Sequence, residues 1–190
     1  MRVIAGCHRG RKIETIAGKE IRPTTAIARE AIFNILGHGE FGGRGGHFLE
    51  GYEVLDLYTG CGALAMEAFS RGASHVTLMD IKPEHLTIAR QNIAKIHESE
   101  NATFIRCDSS NPPPAPRPCD VVFVDPPYKD KLVDRSIERL ISNGWVKEGS
   151  IIVIEMDKHG QYTAPDSLEE IKNRTYGLCR IVVLRVVSCP

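Results

Sequence analysis

An unbroken apolar run, residues 121–124 (VVFV), ends abruptly at Asp125, Pro126, Pro127 and Tyr128. Such a run is typical of a parallel strand that is covered on both faces. The two prolines end the strand, because neither can donate a hydrogen bond to the sheet. The sequence therefore predicts that an acid, two free carbonyls and an aromatic ring lie at the C-terminal edge of a sheet, where open α/β folds bind ligands. Alone, the four residues also fit a strand that ends in a turn without function.

Strand and helix patterns alternate along a chain of 190 residues, which is the length of one domain. Only residues 177–179 separate the last two predicted strands. Three residues cannot hold a crossover helix, so these strands must be antiparallel neighbours. We therefore expect an α/β fold with a seven-stranded, mostly parallel sheet and a terminal antiparallel hairpin. The predicted strands are residues 53–58, 75–80, 102–107, 120–124, 151–155, 169–176 and 180–187.

The first 22 residues form a basic segment in front of this sheet. They carry six Lys and Arg residues against two acids, whereas the whole chain has 24 of each sign. Their alternating polarity predicts a small β-hairpin or two short strands, loosely attached. A basic segment at one end predicts a polyanionic partner, although a solvated terminal hairpin explains the same charges. We divide the chain into a basic β extension, residues 1–22, and a main domain, residues 23–190.

A helix is predicted to follow the extension, because apolar residues recur there at helical spacing. Arg29 lies outside this apolar stripe. Residues 37–46 contain six glycines, which predicts a flexible loop rather than a phosphate cradle. The stripe consists of Ile27, Ala28, Ala31, Ile32, Ile35 and Leu36.

The six cysteines include no Cys-x-x-Cys pair. The N-terminus lacks the apolar stretch of a signal peptide, and no run approaches the ~18 apolar residues of a membrane span. These features predict reduced thiols in a cytoplasmic protein. The seven histidines lack the spacing of metal ligands, so we expect no metal site.

Three acids, Asp56, Asp80 and Asp108, lie at the ends of three successive predicted strands. Gly60 and Gly62 allow a tight turn and the close approach of a ligand to backbone amides. Asp80 can grip two ribose hydroxyls, as in NAD and S-adenosylmethionine enzymes, and Asp108 can accept from an adenine amino group. Asp56 can face the ammonium of a methionine moiety but would repel a pyrophosphate, so the three acids together indicate S-adenosylmethionine. Each acid alone also fits a helix N-cap or a turn residue. The residues predicted to bind it are Asp56, Tyr58, Thr59, Gly60, Gly62, Asp80, Ile81, Asp108 and Ser109.

The turn Asp56-x-Tyr-Thr-Gly-Cys-Gly62, followed by residues 125–128, resembles the motifs of class I S-adenosylmethionine-dependent amino-methyltransferases. Three further segments make the resemblance specific to one family within this class: MRVIAG (1–6), RGRK (9–12) and RPTT (22–25). With them the chain resembles the bacterial small-subunit ribosomal RNA (guanine-N2) methyltransferase family over nearly its whole length. That family has a Rossmann-like fold.

The sequence departs from the family pattern at three places. Ala26 and Ile27 stand where the family usually has Asp-Arg, which removes any contact that this pair would make. The turn Tyr58-Thr-Gly-Cys-Gly62 replaces the usual Phe-Ala-Gly-Ser-Gly, and Asp80 stands where Glu is common. The last two changes are conservative.

The resemblance implies methyl transfer from S-adenosylmethionine to the 2-amino group of a guanine in 16S ribosomal RNA. The partner would be the small ribosomal subunit or its assembly intermediate, and the enzyme a monomer. Asp125 and the carbonyl of Pro126 would accept the amino N–H bonds, Pro127 would brace the backbone, and Tyr128 would stack on the base. The residues expected to hold RNA phosphates are Arg9, Arg11, Lys12, Arg22 and Arg29.

Three other functions fit parts of the sequence. A DNA or other RNA amino-methyltransferase with an adenine target would share residues 125–128, although the chain has little room for a separate domain that reads DNA sequence. An NAD(P)-dependent oxidoreductase would share the glycine turn, but Asp56 and the terminal hairpin argue against it. A catalytically silent RNA-binding chaperone would not need the intact motif at 125–128.

Overall fold

The computed structural model describes residues 1–15, 26–37, 48–127 and 130–189. Arg22, Tyr128 and most of the predicted glycine-rich loop, 37–46, therefore lie outside the described residues. The proposed domain boundary at residues 22 and 23 lies there too. The elements are α1 (Ala26–Gly37), β1 (Glu53–Leu57), α2 (Ala63–Ser70), β2 (His75–Asp80), α3 (Pro83–Ala94), a short 3₁₀ helix (Ser99–Asn101), β3 (Ala102–Arg106), β4 (Cys119–Val124), α4 (Asp130–Ser142), β5 (Val146–Asp157), β6 (Leu168–Tyr176) and β7 (Cys179–Val186).

The seven strands form one sheet in the order β3-β2-β1-β4-β5-β7-β6. Strands β3, β2, β1, β4 and β5 are parallel neighbours, and β7 runs antiparallel to both β5 and β6. The predicted α/β fold and the antiparallel end of the sheet are therefore confirmed. The chain moves outward from β1 to β3 and then returns to β4 on the other side of β1. This reversal places a ligand-binding crevice at the carboxyl ends of β1 and β4.

Strand β5 begins at Val146, five residues before its predicted start at Ile151. Cys119 pairs with Val146, and a register shift follows before Val121 pairs with Ile151. The intervening residues 147–149 are exposed and polar or glycine, so the sequence carries no apolar signal for the first part of this strand.

Helices cover both faces of the sheet, as its continuous apolar strands predict. One face packs against α1, α2 and α3, where Phe33 of α1 lies 5.4 Å from Phe123 of β4 between ring centroids. The other face packs against α4 through Val133, Ile137 and Leu140. Among the described residues, no helix is long and apolar enough to cross a membrane.

Residues 1–15, the described part of the basic extension, pack into the core of the main domain, so for them the prediction of loose attachment is wrong. Arg2 pairs with Lys12 in an antiparallel bridge, which gives the predicted small hairpin. Val3 and Ile13 are buried in the same core as α2. Every residue of α2 is buried, including Glu67 and Ser70. The extension therefore forms part of the cover over α2 instead of a free arm.

The buried face of helix α1 is rotated relative to the apolar stripe that the sequence predicts. Ile27 is 68% exposed, whereas Arg29 is only 1% exposed. Phe33, which the predicted stripe left out, is fully buried. The helix turns this side inward because Phe33 packs on Phe123, and Arg29 reaches the backbone of the extension, where it donates to the Arg2 carbonyl at 2.8 Å.

Candidate active site

The candidate site lies at the reversal of strand order, where β1 and β4 end side by side. Asp56 of β1 pairs in register with Phe123 of β4, two residues before Asp125. The glycine turn follows β1, and Asp125 with Pro126 follows β4. Strand pairing thus brings together two motifs that are more than 60 residues apart in the sequence. Asp125 is half-buried, Pro126 is buried and Pro127 is exposed.

Asp56 is a buried acid that supports the glycine turn. Its Oδ2 atom accepts a hydrogen bond from the Thr59 hydroxyl at 2.6 Å and one from the Ala65 amide at 3.3 Å. Burial raises the pKa of Asp56 to about 7, and the negative charges of Asp125 and Asp80 also raise it. The hydrogen bonds from Thr59 and Ala65 lower the pKa but do not cancel this rise. A cation bound nearby would favour the ionised carboxylate, whereas a pyrophosphate would be repelled.

The turn after β1 contains three residues with left-handed backbone angles, Tyr58 (φ 59°), Gly60 (φ 53°) and Gly62 (φ 76°). Apart from Gly60 and its two chain neighbours, the nearest described atom to a Cβ atom added at Gly60 would be the Tyr58 carbonyl oxygen, 3.9 Å away. The backbone there is therefore open to a ligand. The amide of Thr59 donates to the Met79 carbonyl of β2 at 2.9 Å, which fixes the turn against the sheet.

Gly62 closes the tight turn, as the sequence predicts, because its amide donates to the Thr59 carbonyl at 2.8 Å. Its φ is 76°, and an added Cβ atom would lie 3.2 Å from the Cβ of Ala89 and 3.3 Å from a methyl carbon of Leu78. The missing side chain therefore allows the turn to pack closely against α3 and β2.

Asp80 is already engaged by three donors. Its Oδ2 atom accepts from the Gly60 amide and from Nδ1 of His85, both at 3.0 Å, and Oδ1 accepts from the Lys82 amide at 2.9 Å. A carboxylate has about four acceptor positions. Three positions are occupied, so Asp80 can accept from both ribose hydroxyls, as predicted, only if one of its three present hydrogen bonds breaks. The next residue, Ile81, is 58% exposed and offers an apolar surface beside this acid.

The end of β3 carries an exposed acid and a buried serine. The Asp108 carboxylate accepts from the Ser110 hydroxyl at 2.7 Å and its amide at 2.9 Å, and the hydroxyl bond lowers the pKa of Asp108. Ser109 is buried, and its hydroxyl accepts from the Tyr58 amide at 3.3 Å. The Tyr58 hydroxyl in turn lies 2.8 Å from Oγ of Ser136 on α4. Ser109 thus holds the turn, and Ser136 joins the site without any signal in the sequence.

The residues predicted to hold RNA fall into three groups. Arg9, Arg11 and Lys12 are exposed on the extension. Arg22 lies outside the described residues. Arg29 is buried, and burial lowers its pKa despite the nearby charge of Glu67. Arg29 cannot reach a phosphate from this position, so its assignment to the RNA surface is corrected to a contact that holds the extension.

The chain matches other proteins over nearly its whole length. A family model described as Conserved hypothetical protein 95 matches residues 1–185. An uncharacterized methylase of Rickettsia prowazekii is 31% identical, with 99% of this chain and 98% of that protein aligned. The ribosomal RNA small subunit methyltransferase D of Haemophilus influenzae is 31% identical over 94% of this chain and 90% of its own.

Solved structures give the same picture of the fold. The Escherichia coli protein yhhF superposes with a TM-score of 0.81 at 27% identity, covering 99% of this chain and 98% of its own. TrmN from Thermus thermophilus shares the fold at 19% identity, with a TM-score of 0.67 over 84% of this chain and 48% of its own. The chain therefore has the fold of a class I methyltransferase, and it belongs to the Conserved hypothetical protein 95 family.

Proposed function

We propose that this methyltransferase transfers a methyl group from S-adenosylmethionine to the 2-amino group of a guanine in 16S ribosomal RNA of the small subunit. One observation carries the proposal. The acid-supported turn after β1 and the pair Asp125–Pro126 after β4 lie side by side, so a methyl donor and an amino acceptor can meet there. Relatives named ribosomal RNA small subunit methyltransferase D support the choice of RNA.

The residues around the turn fit S-adenosylmethionine. When bound, this cofactor supplies an electrophilic methyl group on a positively charged sulfur. The buried carboxyl of Asp56 favours a cationic ligand, because positive charge offsets the burial that raises its pKa. Asp80 would accept ribose hydroxyls, exposed Ile81 would contact the adenine ring, and Asp108 would accept from the adenine amino group.

Asp125 and Pro126 would make the acceptor nitrogen reactive. An exocyclic amino group is a poor nucleophile, because its lone pair is delocalised into the base. The Asp125 carboxylate and the Pro126 carbonyl would accept its two N–H bonds and stabilise the charge that develops on nitrogen. The adjacent prolines restrict the backbone, so these acceptors need little reorganisation. Most of the rate then comes from alignment of the amino nitrogen with the methyl donor.

The RNA would be held by the extension and by an aromatic ring beside the site. Arg9, Arg11 and Lys12 are exposed and can pair with phosphates. Tyr128, which follows the two prolines, would stack on the target base once it leaves its helix or loop, for about 1–3 kcal/mol. Arg22 is a further candidate for a phosphate contact.

A methyl-transfer assay with two protein variants tests this proposal. Small ribosomal subunits and naked 16S RNA from cells that lack the protein are incubated with methyl-labelled S-adenosylmethionine, and the modified nucleosides are identified by mass spectrometry. We expect N2-methylguanosine with the wild type. Asp125→Asn keeps the shape of the side chain but loses its charge, so its rate should fall by about 100-fold or more, the typical cost of losing one such stabilising group. Its cofactor dissociation constant should stay within about twofold of the wild type.

Other outcomes of this assay would replace parts of the proposal. Methylated adenine would overturn the guanine assignment, and transfer to DNA but not RNA would overturn the substrate class. Wild-type turnover by Asp125→Asn would remove the catalytic role of Asp125. Binding of NADH in place of S-adenosylmethionine, measured by nicotinamide fluorescence, would favour an oxidoreductase. Comparison of subunits with naked RNA decides which of the two is the substrate.

A further inference from the structure

Asn92 of α3 binds two separate parts of the molecule with one fully buried side chain. Its Oδ1 atom accepts from the Glu14 amide at 2.9 Å, and its Nδ2 atom donates to the Glu14 carbonyl at 2.9 Å. The same Nδ2 atom donates to the Cys61 carbonyl at 2.9 Å. Glu14 belongs to the extension, and Cys61 lies in the glycine turn. One amide group therefore joins the two.

The geometry leaves this amide little freedom. A side-chain amide has two N–H donors, and here each goes to a different backbone carbonyl. A buried donor or acceptor that loses its partner costs about 1–3 kcal/mol. A shift of Glu14 therefore either moves Asn92, and with it the Cys61 carbonyl, or leaves part of the amide unsatisfied.

The extension is also fixed at its other end. The carboxylate of Glu67 accepts from the amides of Ile4 at 2.8 Å and Ala5 at 3.1 Å. The Ser70 carbonyl accepts from the Cys7 amide at 2.9 Å. The exposed residues Arg9 and Arg11 thus lie between two anchors, one on α2 and one at Asn92. A displacement of this part of the extension can therefore be transmitted to Asn92, because hydrogen bonds hold the backbone on both sides of it.

We propose that Asn92 is a positioning residue that couples the extension to the cofactor turn. A polyanion bound on the extension then tightens binding of S-adenosylmethionine, and the cofactor tightens binding of the polyanion by the same factor. The coupling is positive because the Asn92 amide holds both segments, so a ligand that stabilises either segment also stabilises the contacts that support the other. The identities of the two ligands rest on the function proposed above, whereas the mechanical connection does not.

Two substitutions at Glu14 isolate the connection without altering the turn or Asn92. Glu14→Pro removes the amide that donates to Asn92. Glu14→Ala keeps that amide but, like Glu14→Pro, removes the carboxylate that pairs with Lys12 and Lys95 at 3.2 Å. By calorimetry with S-adenosylmethionine, we expect about tenfold weaker binding for Glu14→Pro, equivalent to one lost hydrogen bond. Glu14→Ala should stay within about twofold. Equal dissociation constants for the two variants would overturn the coupling.

Amide hydrogen exchange gives a readout that needs no cofactor. In Asn92→Ser, the amides of Gly60 and Gly62 should exchange several-fold faster than in the wild type. Ile96→Val is the control, because it trims a buried side chain just beyond the end of the same helix and lowers stability without touching the amide network. Equal exchange at the turn in both variants would overturn the connection.

The same exchange measurement separates this inference from the proposed function. Addition of S-adenosylmethionine should slow exchange at the Glu14 amide in the wild type but not in Asn92→Ser. A wild type that binds no S-adenosylmethionine would defeat the proposed function, and the cofactor-free comparison at the turn would still decide the role of Asn92. A wild type that binds the cofactor without protecting Glu14 would defeat the coupling alone.

Discussion

The ring Nδ1 atom of His85 lies 3.0 Å from Oδ2 of Asp80, and the same oxygen accepts from the Gly60 amide. Helix α3 thus reaches back to the acid at the end of β2, and that acid in turn holds the glycine turn. Under the proposed function Asp80 has two tasks: it would bind the ribose hydroxyls, and it keeps the turn in the shape that binds the rest of the ligand. His85 shares only the second task.

We predict that Asp80→Asn weakens S-adenosylmethionine binding by at least about tenfold, the equivalent of one hydrogen bond to a charged group. The amide NH₂ would face a donor such as the Gly60 amide, so the turn loses support while the ribose loses its acceptor. His85→Leu keeps most of the bulk and should change the affinity by less than about threefold, because Gly60 and Lys82 still hold the carboxylate. Calorimetry on both variants checks this. Equal losses would show that His85, rather than a direct contact of Asp80, governs affinity.

A second prediction concerns pH. The pKa of Asp56 is about 7 in the folded chain against a usual value of 3.8, so between these values the folded chain holds a proton that the unfolded chain has lost. The free energy of unfolding should therefore fall as pH rises through this window, by about 1.4 kcal/mol per pH unit from this group, and level off above it. Asp56→Asn cannot ionise, so the difference between wild type and variant should show this slope.

Urea unfolding of the cofactor-free protein at pH 5, 6, 7 and 8 measures the slope directly. Subtraction of the Asp56→Asn curve removes the contributions of groups that titrate in both proteins. A difference that stays constant over this range would contradict the raised pKa. Saturating S-adenosylmethionine should reduce the slope, because a bound cation favours the ionised carboxylate.

The sheet and its acids were predictable because their signals are local. Apolar runs bounded by glycine or proline predicted the inner strands, and the short connection at residues 177–179 predicted the terminal hairpin. Asp56 and Asp125 were predicted at or next to the ends of such strands. The rule that open α/β folds bind ligands at the C-terminal edge of the sheet put both acids at one edge, and the observed strand order places them on neighbouring strands.

The contacts that hold the extension could not be predicted in this way. Glu67 and Asn92 bind backbone amides that are 62 to 78 residues away in the chain, and such pairings leave no periodic pattern. Arg29 was misassigned because a charged residue is normally exposed. One signal was available, since the sequence ALAMEAFS of α2 is apolar on nearly every side, and a helix of that kind needs cover all round.

A third prediction compares two glycines with the same backbone conformation. Gly6 and Gly10 have φ values of 84° and 83°, so alanine meets similar backbone strain at either position, about 1 kcal/mol. A Cβ atom at Gly6 would lie 1.7 Å from the Ser70 carbonyl oxygen, whereas no atom of the described residues lies within 4 Å of one at Gly10. Gly6→Ala should therefore also dislodge the extension from α2. Thermal unfolding and amide exchange at Ile4 and Ala5 check this, and equal behaviour of the two variants would contradict it.

The last prediction concerns the charges that the docked extension presents. Replacement of Arg9, Arg11 and Lys12 by Gln should weaken RNA binding and reduce the slope of log affinity against log salt by about 0.7 for each phosphate that is no longer neutralised. A control with the same change in charge replaces Arg139, Lys172 and Arg174, which are exposed on α4 and β6, and its slope should match the wild type. Filter binding to a 16S RNA fragment between 50 and 200 mM salt, roughly the range over which such contacts are screened, measures both slopes. If the extension variant keeps the wild-type slope, these three residues do not contact RNA phosphates.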